Sequence, residues 1–205
     1  MTKTDLFKEK SEDWDSREHV KKLSKAVGQT VLQKVALNDE MDVLDFGAGT
    51  GLICSQIAPL VHNVLAVDIS QSMLDKLAGK PELQGKVNTS CQNILTQPLD
   101  KTFDLIVSAM AIHHVEDTPL LIQRFSEHLN KGGKIALADL DKEEGTFHPA
   151  NTEGVFHFGF ERDSFTALLS DAGFDNIQFH TAHIIEREDG RYPVFLVTAQ
   201  KSIAS

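Results

Sequence analysis

Glycines and acidic residues in the first half of the chain have the types and spacing that a nucleoside-binding site needs. Residues 45–51 read Asp-Phe-Gly-Ala-Gly-Thr-Gly and directly follow a short apolar run. Glycines there let the backbone turn tightly and approach a ligand, while the start of a following helix offers unpaired N–H groups. Asp68 lies 17 residues after Gly51, at the end of the next apolar run, where a carboxylate can accept both hydroxyls of a ribose. The pattern predicts a cofactor that contains adenosine or a similar nucleoside.

The spacing of the glycines distinguishes between cofactors. The dinucleotide fingerprint is Gly-x-Gly-x-x-Gly, whereas this loop is Gly-x-Gly-x-Gly. Asp45 stands two residues before Gly47, and its carboxylate would repel a pyrophosphate because like charges repel. Asp45 therefore suits a cofactor with a cationic end. A nicotinamide oxidoreductase is the less favoured hypothesis, and a tight strand-to-helix turn without a ligand is the structural alternative.

Short apolar runs alternate with longer helical patterns along the chain, which indicates an α/β domain with a mainly parallel sheet. The last two runs are joined by Asp189-Gly190, a strong hairpin signal, so the last two strands are expected to be antiparallel. The prediction is a Rossmann-like, seven-stranded, mainly parallel sheet with a C-terminal antiparallel β-hairpin and an N-terminal helical cap. The strands are predicted at residues 43–46, 63–68, 86–91, 103–109, 134–139, 176–186 and 192–200.

The helices have recognisable start and stop signals. Ser16 is a plausible N-cap of a helix that ends near residue 37, and Ser70 and Asp117 are predicted to cap two further helices. Gly132-Gly133 is expected to stop the helix that begins at Asp117. Other helices are predicted directly after the glycine loop, through residue 60, and over residues 160–172. In the N-terminal segment, the isolated aromatic residues Phe7 and Trp14 either close over the site as a lid or simply anchor the segment.

The composition excludes several classes of protein. The chain has 205 residues and a formal net charge of -10, with 41% hydrophobic and 24% charged residues, which fits a soluble globular protein. The acidity argues against a nucleic-acid partner, because such affinity depends on Lys and Arg neutralising phosphates. No apolar run approaches the ~20 residues that span a bilayer, and the polar start of the chain lacks a signal-peptide core. The two cysteines, Cys54 and Cys91, are too few for a disulfide scaffold, so a cytoplasmic location is expected.

Four segments occur in an order that is specific as a set. They are VLDFGAGTG at residues 43–51, VDIS at 67–70 with Met73-Leu74, FDLIVS at 103–108 and LNKGG at 129–133. The set resembles the class I S-adenosylmethionine-dependent methyltransferases. It is closest to the small-molecule branch that includes the ubiquinone and menaquinone C-methyltransferases, and the terminal hairpin matches the family's antiparallel last strand.

The resemblance implies S-adenosyl-L-methionine as the cofactor and a role for each matching residue. Gly47, Gly49 and Gly51 would line its methionine and ribose portions. Asp45 would lie near the amino group, and Asp68 would hold the ribose hydroxyls.

The resemblance also implies the residues around the adenine and the transferring methyl group. Ile69 and Met73 would lie near the adenine. Asn93, followed by Ile94, occupies the place where the family often has an acid facing the adenine amino group, and its amide oxygen can still accept a hydrogen bond. Ser108, at the end of the fourth strand, would border the methyl group.

Four histidines are candidate general bases. Methyl transfer from a sulfonium is an in-line displacement with an excellent leaving group, so alignment and desolvation can supply most of the catalysis. A base is needed only if the accepting atom starts protonated, and imidazole suits that task near neutral pH. His113 and His114 follow the fourth strand, while His148 and His157 lie between the fifth strand and the next helix. The alternative is structural: packing and hydrogen bonding for the first pair, and a loop covering the core for the second.

Asp139 and Asp141, together with His148, raise the option of a metal ion, because carboxylates and imidazole are both metal ligands. Against it, the fourth strand ends in residues 108–110, which provide none of the carboxylate ligands expected of metal-dependent, catechol-type members of this fold. The sequence therefore predicts no metal ligands.

One methyltransferase domain is predicted over residues 1–205. It would comprise an N-terminal cap (1–40), a cofactor-binding core (41–139) and an acceptor-side segment with the terminal hairpin (140–205). The function hypothesis is methyl transfer to a small organic acceptor, without a nucleic-acid or membrane partner. The alternative from another class is a module on the same fold that binds the nucleoside cofactor, or a partner protein, without catalysis. The sequence does not determine the oligomeric state.

Overall fold

A seven-stranded sheet runs through the computed structural model, which describes residues 5–150 and 152–203. The strand order is β3-β2-β1-β4-β5-β7-β6; β1 to β5 pair in parallel, and β7 is antiparallel to both of its neighbours. This confirms the predicted Rossmann-like sheet and its antiparallel end. The strands are β1 (Asp42–Phe46), β2 (Asn63–Asp68), β3 (Val87–Cys91), β4 (Phe103–Ala109), β5 (Leu129–Leu140), β6 (Phe174–Arg187) and β7 (Gly190–Lys201).

Six α-helices lie in the part of the chain that the structure describes. They are α1 (Lys8–Ser11), α2 (Glu18–Lys34), α3 (Cys54–Ile57), α4 (Gln71–Ala78), α5 (Thr118–Glu127) and α6 (Arg162–Asp171). None of these helices combines the length and the apolar character that crossing a bilayer requires. The polar start of the chain predicts that there is no signal peptide. Residues 1–4 of that start lie outside the described residues.

Both faces of the sheet are buried, as the apolar strands predict. Alternate residues of a strand point to opposite faces, so Val43 packs on the face that α2 covers and Leu44 on the face that α5 covers. Val27 and Val31 of α2 join the first cluster, and Phe125 of α5 joins the second. The N-terminal helix is therefore an integral layer of the fold.

Two of the predicted helix caps are present. The Ser70 hydroxyl accepts a hydrogen bond from Met73 N at 3.3 Å, and the Asp117 carboxylate accepts one from Leu120 N at 2.9 Å. The prediction that Ser16 caps α2 is wrong. Ser16 lies in a 3₁₀ turn, and its hydroxyl is hydrogen-bonded to the backbone of that turn. The hydroxyl donates to Asp13 O, and α2 begins after Ser16 without a side-chain cap.

The prediction that Gly132-Gly133 stops a helix is also wrong. Helix α5 ends at Glu127, and both glycines lie inside β5. Pairing moves from Phe103↔Leu129 to Leu105↔Lys134, so β5 advances five residues where β4 advances two. The extra residues form an irregularity in which Gly132 takes a φ of +74°. The helix predicted after the glycine loop is shorter than expected, because it passes into a 3₁₀ turn, Ala58–Leu60, that contains a proline.

The topology creates a crevice beside β1. Its neighbours are β2 on one side and β4 on the other, so the chain connections leave in opposite directions there. In open α/β sheets, ligands bind at such a switch point, outside the carboxyl ends of the strands. The glycine loop follows β1 and lies at this edge.

Candidate active site

The glycine loop leaves β1 in a conformation that glycine favours. Gly47, Gly49 and Gly51 have φ values of +66°, +54° and +82°. A Cβ on Gly47 would collide with Ala111, which follows β4, whereas a Cβ on Gly49 would meet nothing within 4 Å. A side chain at position 47 would thus prevent the loop from packing against Ala111. At Gly49 the backbone has a positive φ and the space beside it is open.

Asp68 reaches across to this loop from the end of β2. Its Oδ2 accepts a hydrogen bond from Gly49 N at 2.8 Å, and its Oδ1 accepts one from Ser70 N at 2.9 Å. Burial raises the pKa of this carboxyl group, and the two backbone hydrogen bonds oppose the rise. Each oxygen retains a lone pair, so the carboxylate is positioned to accept hydroxyls of a ligand that lies on the loop.

Asp45 lies in β1 and has 1% of its surface exposed. The Cys54 thiol donates a hydrogen bond to its Oδ2 at 3.0 Å. Burial raises the pKa of Asp45 to about 7, and the negative charge of Asp68 adds to the rise. No basic side chain pairs with Asp45 among the described residues. A ligand cation would therefore supply the missing counter-ion and stabilise the ionised form of Asp45.

The residues predicted around the adenine differ in their exposure. The Ile69 side chain is 63% exposed and can cover a flat ring, whereas Met73 and Ile94 point into the core. Asn93 Oδ1 accepts a hydrogen bond from Leu95 N at 2.9 Å, which uses one of its two lone pairs. Ser108 is buried, and its hydroxyl has no hydrogen-bond partner in the described part of the chain. Among the residues predicted around the adenine, Ile69 therefore offers the most exposed apolar surface, and Met73 and Ile94 are buried.

Residues 5–17, here called the N-terminal strap, cross this edge of the sheet. Asp5 accepts hydrogen bonds from the N–H and hydroxyl of Ser72 in α4, at 3.1 and 2.8 Å. Asp15 accepts a hydrogen bond from the Thr50 hydroxyl at 2.5 Å and pairs with Lys80 at 2.7 Å.

One of the two aromatic residues of the N-terminal strap closes over the site. The Phe7 ring meets the His114 ring edge-on at 5.4 Å, which supports the lid hypothesis. Trp14 instead packs on the Arg17 guanidinium, at 5.2 Å, a contact within the strap just before α2. Asp5 and Asp15 have no local sequence signal, because their partners are distant in the chain.

Three histidines meet at the carboxyl ends of β4 and β5. His113 Nδ1 lies 2.7 Å from Asp139 Oδ1, and both residues are buried. His148 Nε2 lies 3.2 Å from His113 Nε2, although 35 residues separate them. His114 Nδ1 lies 2.6 Å from Gly154 O. Three of the four candidate bases thus form one cluster, the histidine cluster, and Asp139 orients one of its members.

The protonation states in the histidine cluster follow from burial. Burial lowers the pKa of His114 to about 4, and the charge of His113 acts in the same direction. Burial and His113 likewise lower the pKa of His148 to about 4. Burial by itself would raise the pKa of Asp139, but the charge and hydrogen bonds of His113 bring it below its ordinary value. At neutral pH the cluster combines a carboxylate with the uncharged imidazoles of His114 and His148.

The remaining candidates are engaged elsewhere. His157 Nε2 lies 3.0 Å from the Thr118 hydroxyl and 2.9 Å from Val115 O, so His157 anchors its loop to the start of α5. Asp141 accepts two hydrogen bonds of 2.7 Å from Arg162. These contacts favour the structural interpretation of His157 and argue against Asp141 as a metal ligand.

Two open surface depressions lie away from this edge. One, of about 360 Å³, is lined by residues 98–102, 127 and 128, and the other, of about 400 Å³, by residues 38, 40, 41, 104 and 131–134. Neither contains a predicted site residue. The second lies at the amino ends of β1 and β4, opposite the switch point, so the carboxyl edge is the candidate active site.

A family model described as "Methyltransferase domain" matches residues 16–179, which include the glycine loop, Asp68 and the histidine cluster. The chain belongs to this methyltransferase family. A Bacillus cereus (strain ATCC 14579) protein named an uncharacterized methyltransferase is 30% identical over 162 residues, covering 74% of this chain and 76% of that protein. An uncharacterized methyltransferase of Schizosaccharomyces pombe is 29% identical over 155 residues, covering 67% of this chain but 55% of that protein. The chain thus spans about half the length of the yeast relative.

Solved structures show the same methyltransferase fold at low sequence identity. A Haloferax volcanii putative methyltransferase, in complex with the activator Trm112, has a TM-score of 0.81 at 14% identity, covering 98% of this chain and 100% of that chain. The Bradyrhizobium japonicum N-methyltransferase NodS, with S-adenosylhomocysteine, has a TM-score of 0.69 at 15% identity, covering 91% and 89%. Haemonchus contortus phosphoethanolamine N-methyltransferase 2, with S-adenosylmethionine, has a TM-score of 0.71 at 15% identity, covering 96% and 60%.

Proposed function

We propose that the protein transfers a methyl group from S-adenosylmethionine to a small organic acceptor by in-line displacement. The observation that carries the proposal is the position of Asp68 on the glycine loop. Its carboxylate accepts the Gly49 N–H, and the space beside Gly49 is open. This arrangement at the switch point suits a ribose with its hydroxyls on the acid.

The cofactor is S-adenosylmethionine, as the family resemblance implied, and the glycine spacing disfavours a dinucleotide. The chain belongs to the methyltransferase family, and solved proteins of the same fold contain S-adenosylmethionine or S-adenosylhomocysteine. When bound, the cofactor supplies an electrophilic methyl group on a sulfonium. The residues present fit it, because Asp68 offers acceptors for the ribose and Asp45 offers a carboxyl group without a counter-ion.

The residues of the cofactor side bind and orient. Asp68 would hold the ribose hydroxyls while its hydrogen bond from Gly49 N keeps the loop in place. Asp45 would attract the ammonium group of the methionine portion from beneath the loop. The N-terminal strap would exclude water, because Phe7 and Asp15 already bind the histidine cluster and the loop. Exclusion of water strengthens both charge interactions.

The histidine cluster would serve the acceptor. Asp139 holds His113 Nδ1, which fixes the ring and leaves Nε2 directed at His148 Nε2. A protonated acceptor could transfer its proton to an uncharged imidazole of this cluster as its accepting atom becomes nucleophilic. His114 and His148 are uncharged at neutral pH, so each can accept this proton.

Several finer predictions belong to the same proposal. The acceptor is a small molecule, and the resemblance to the ubiquinone and menaquinone branch favours an apolar one. Phe156 and Phe158 follow His148 in the chain, are 51% and 47% exposed and offer apolar surface.

We place the chain in the cytoplasm as one domain, without a nucleic-acid or membrane partner. Cys54 and Cys91 are both free thiols, as a reducing compartment allows.

A partner-binding module without catalysis is the second candidate. It is favoured by one observation, since the Haloferax volcanii methyltransferase structure of the same fold is a complex with an activator protein. A nicotinamide oxidoreductase is not favoured by the glycine spacing.

The proposal is tested by turnover. Purified protein is mixed with S-adenosylmethionine and a panel of quinols, phenols, amines and thiols, and S-adenosylhomocysteine is measured. We expect one acceptor class to release it, and the Asp68→Asn variant to lose turnover through a raised KM for the cofactor. His62→Ala is the matched control, because His62 is an exposed imidazole at the amino end of β2. Cofactor binding without product from any class would instead support the binding module.

A further inference from the structure

The histidine cluster brings imidazole nitrogens of three residues together. The ligand atoms of His113, His114 and His148 all lie within 4.8 Å of one another. The ring centroids are 4.1 to 5.7 Å apart, so the three imidazoles surround one small volume. Convergent imidazoles are the ligand set that zinc, copper and nickel prefer.

The second nitrogen of two rings is fixed in the way that metal ligands require. His113 Nδ1 faces a carboxylate oxygen of Asp139, and His114 Nδ1 faces the carbonyl oxygen of Gly154. Both oxygens only accept hydrogen bonds, so each Nδ1 carries a proton, and in the neutral form of each ring Nε2 then carries the lone pair. Metal-binding histidines almost always donate their other N–H to a carboxylate or backbone carbonyl in this manner.

The spacing of the nitrogens agrees with tetrahedral coordination. Zinc–nitrogen bonds of about 2.0–2.1 Å place two tetrahedral ligand atoms about 3.3 Å apart. His113 Nε2 and His148 Nε2 are 3.2 Å apart. The ligand atoms lie at most 4.8 Å apart, so the widest separation would have to close by no more than about 1.5 Å.

Acidic and basic residues both lie near the cluster. Asp139 and Glu143 are acidic residues close to it, and Lys10 and Arg187 are basic residues close to it. Asp139 is buried directly behind His113, whereas Arg187 is exposed and packs on the Phe147 and Tyr192 rings. The negative charge thus stands behind a ligand, where it raises the basicity of the imidazole.

We propose that His113, His114 and His148 bind a divalent transition-metal ion of the zinc class, with Asp139 as the orienting carboxylate. This replaces the expectation that the chain has no metal ligands. Three protein ligands leave a tetrahedral ion one position for water or for an acceptor atom. With an ion bound, the three imidazoles are ligands, so the role of proton acceptor belongs to the metal-free cluster. The metal site goes beyond the methyl-transfer proposal and stands without it, because neither cofactor nor turnover is needed to detect it.

The test is a direct titration of tag-free protein with cobalt(II), after removal of metals by a chelator. Tetrahedral cobalt absorbs in the visible range, so binding of one ion per chain is followed by that band and by its displacement with zinc. His148→Ala removes a proposed ligand and should weaken binding by more than about 100-fold, because the loss of an orienting outer partner alone typically costs about 10- to 100-fold. His157→Ala is the matched control and should bind as the wild type does, because its imidazole is engaged with Thr118 and Val115.

Folding is checked by melting curves, and His114→Gln serves as a second ligand variant if His148→Ala is unstable. Three outcomes would overturn the proposal: no tetrahedral band, equal affinity of the wild type and both ligand variants, or a thiolate charge-transfer band that places the ion on a cysteine. Failure of methyl transfer in a protein that binds cobalt through the cluster would leave the metal site standing. Turnover without metal binding would refute the metal site alone.

Discussion

Cofactor binding should depend on pH through Asp45. In the free protein, burial raises the pKa of this carboxyl group to about 7, so near neutrality it is about half protonated. An ammonium group favours the ionised carboxylate. Binding of S-adenosylmethionine should therefore lower the pKa of Asp45 and release a proton, and acidification below pH 7 should weaken binding.

The size of the effect follows from the fraction of ionised Asp45. With a pKa of about 7, that fraction falls about 25-fold between pH 7.5 and pH 5.5. If only the ionised form binds the ammonium group, the Kd should rise by about the same factor. The free-protein pKa is raised, so the loss occurs below pH 7 and not near pH 4, where an ordinary aspartate titrates.

The assay is isothermal titration with S-adenosylmethionine at pH 5.5, 6.5 and 7.5, in buffers of different ionisation enthalpy that count released protons. Asp45→Asn is the matched variant, because it keeps the size and removes the charge. Its Kd should be nearly independent of pH and, at pH 7.5, about tenfold or more above that of the wild type. A wild-type profile as flat as that of Asp45→Asn, or proton uptake on binding, would refute the assignment of Asp45 to the ammonium group.

Three further predictions concern the loop, the strap and the cluster. Gly49→Ala should cost about 1 kcal/mol of stability and abolish detectable cofactor binding, whereas Gly85→Ala, with a φ of +78° and equally open space, should cost stability alone by thermal melting. Asp15→Asn should raise the cofactor off-rate several-fold in stopped-flow fluorescence, since it removes the ion pair that holds the N-terminal strap; an unchanged off-rate would show that the strap does not retain the cofactor. Asp139→Asn should lower kcat at least tenfold with little change in the KM of the cofactor in steady-state kinetics, and a change in KM alone would contradict its placement on the acceptor side.

Local signals made much of the fold predictable from the sequence. Ser70 and Asp117 cap helices by accepting a hydrogen bond from the backbone N–H three residues away, so their signal lies within one turn. Buried strands of the sheet are continuous apolar runs, and the positions of β1, β2 and β4 followed directly from them. The start of β5 was predicted at residue 134 but lies at Leu129. Its irregular pairing with β4 overrides the turn preference of Gly132-Gly133.

The cofactor side was predictable for a similar reason, and the acceptor side was not. Asp68 meets Gly49 because adjacent parallel strands end at the same edge, which the strand prediction implies. The contact between His113 and His148 spans 35 residues and depends on how an irregular segment folds back. No period or spacing in the sequence encodes it. Asp15 reaches Thr50 across a comparable distance, so the N-terminal strap also needed the structure.

The central claim is that Asp68 holds the cofactor on the glycine loop. Calorimetric titration of the wild type and of Asp68→Asn with S-adenosylmethionine at pH 7.5 tests it most directly. The account predicts one binding event per chain in the wild type and a Kd about 10- to 100-fold higher in the variant, because a charge-assisted hydrogen bond contributes about 1.5–3 kcal/mol. No binding by the wild type, or equal affinity of the two proteins with intact folding, would contradict it.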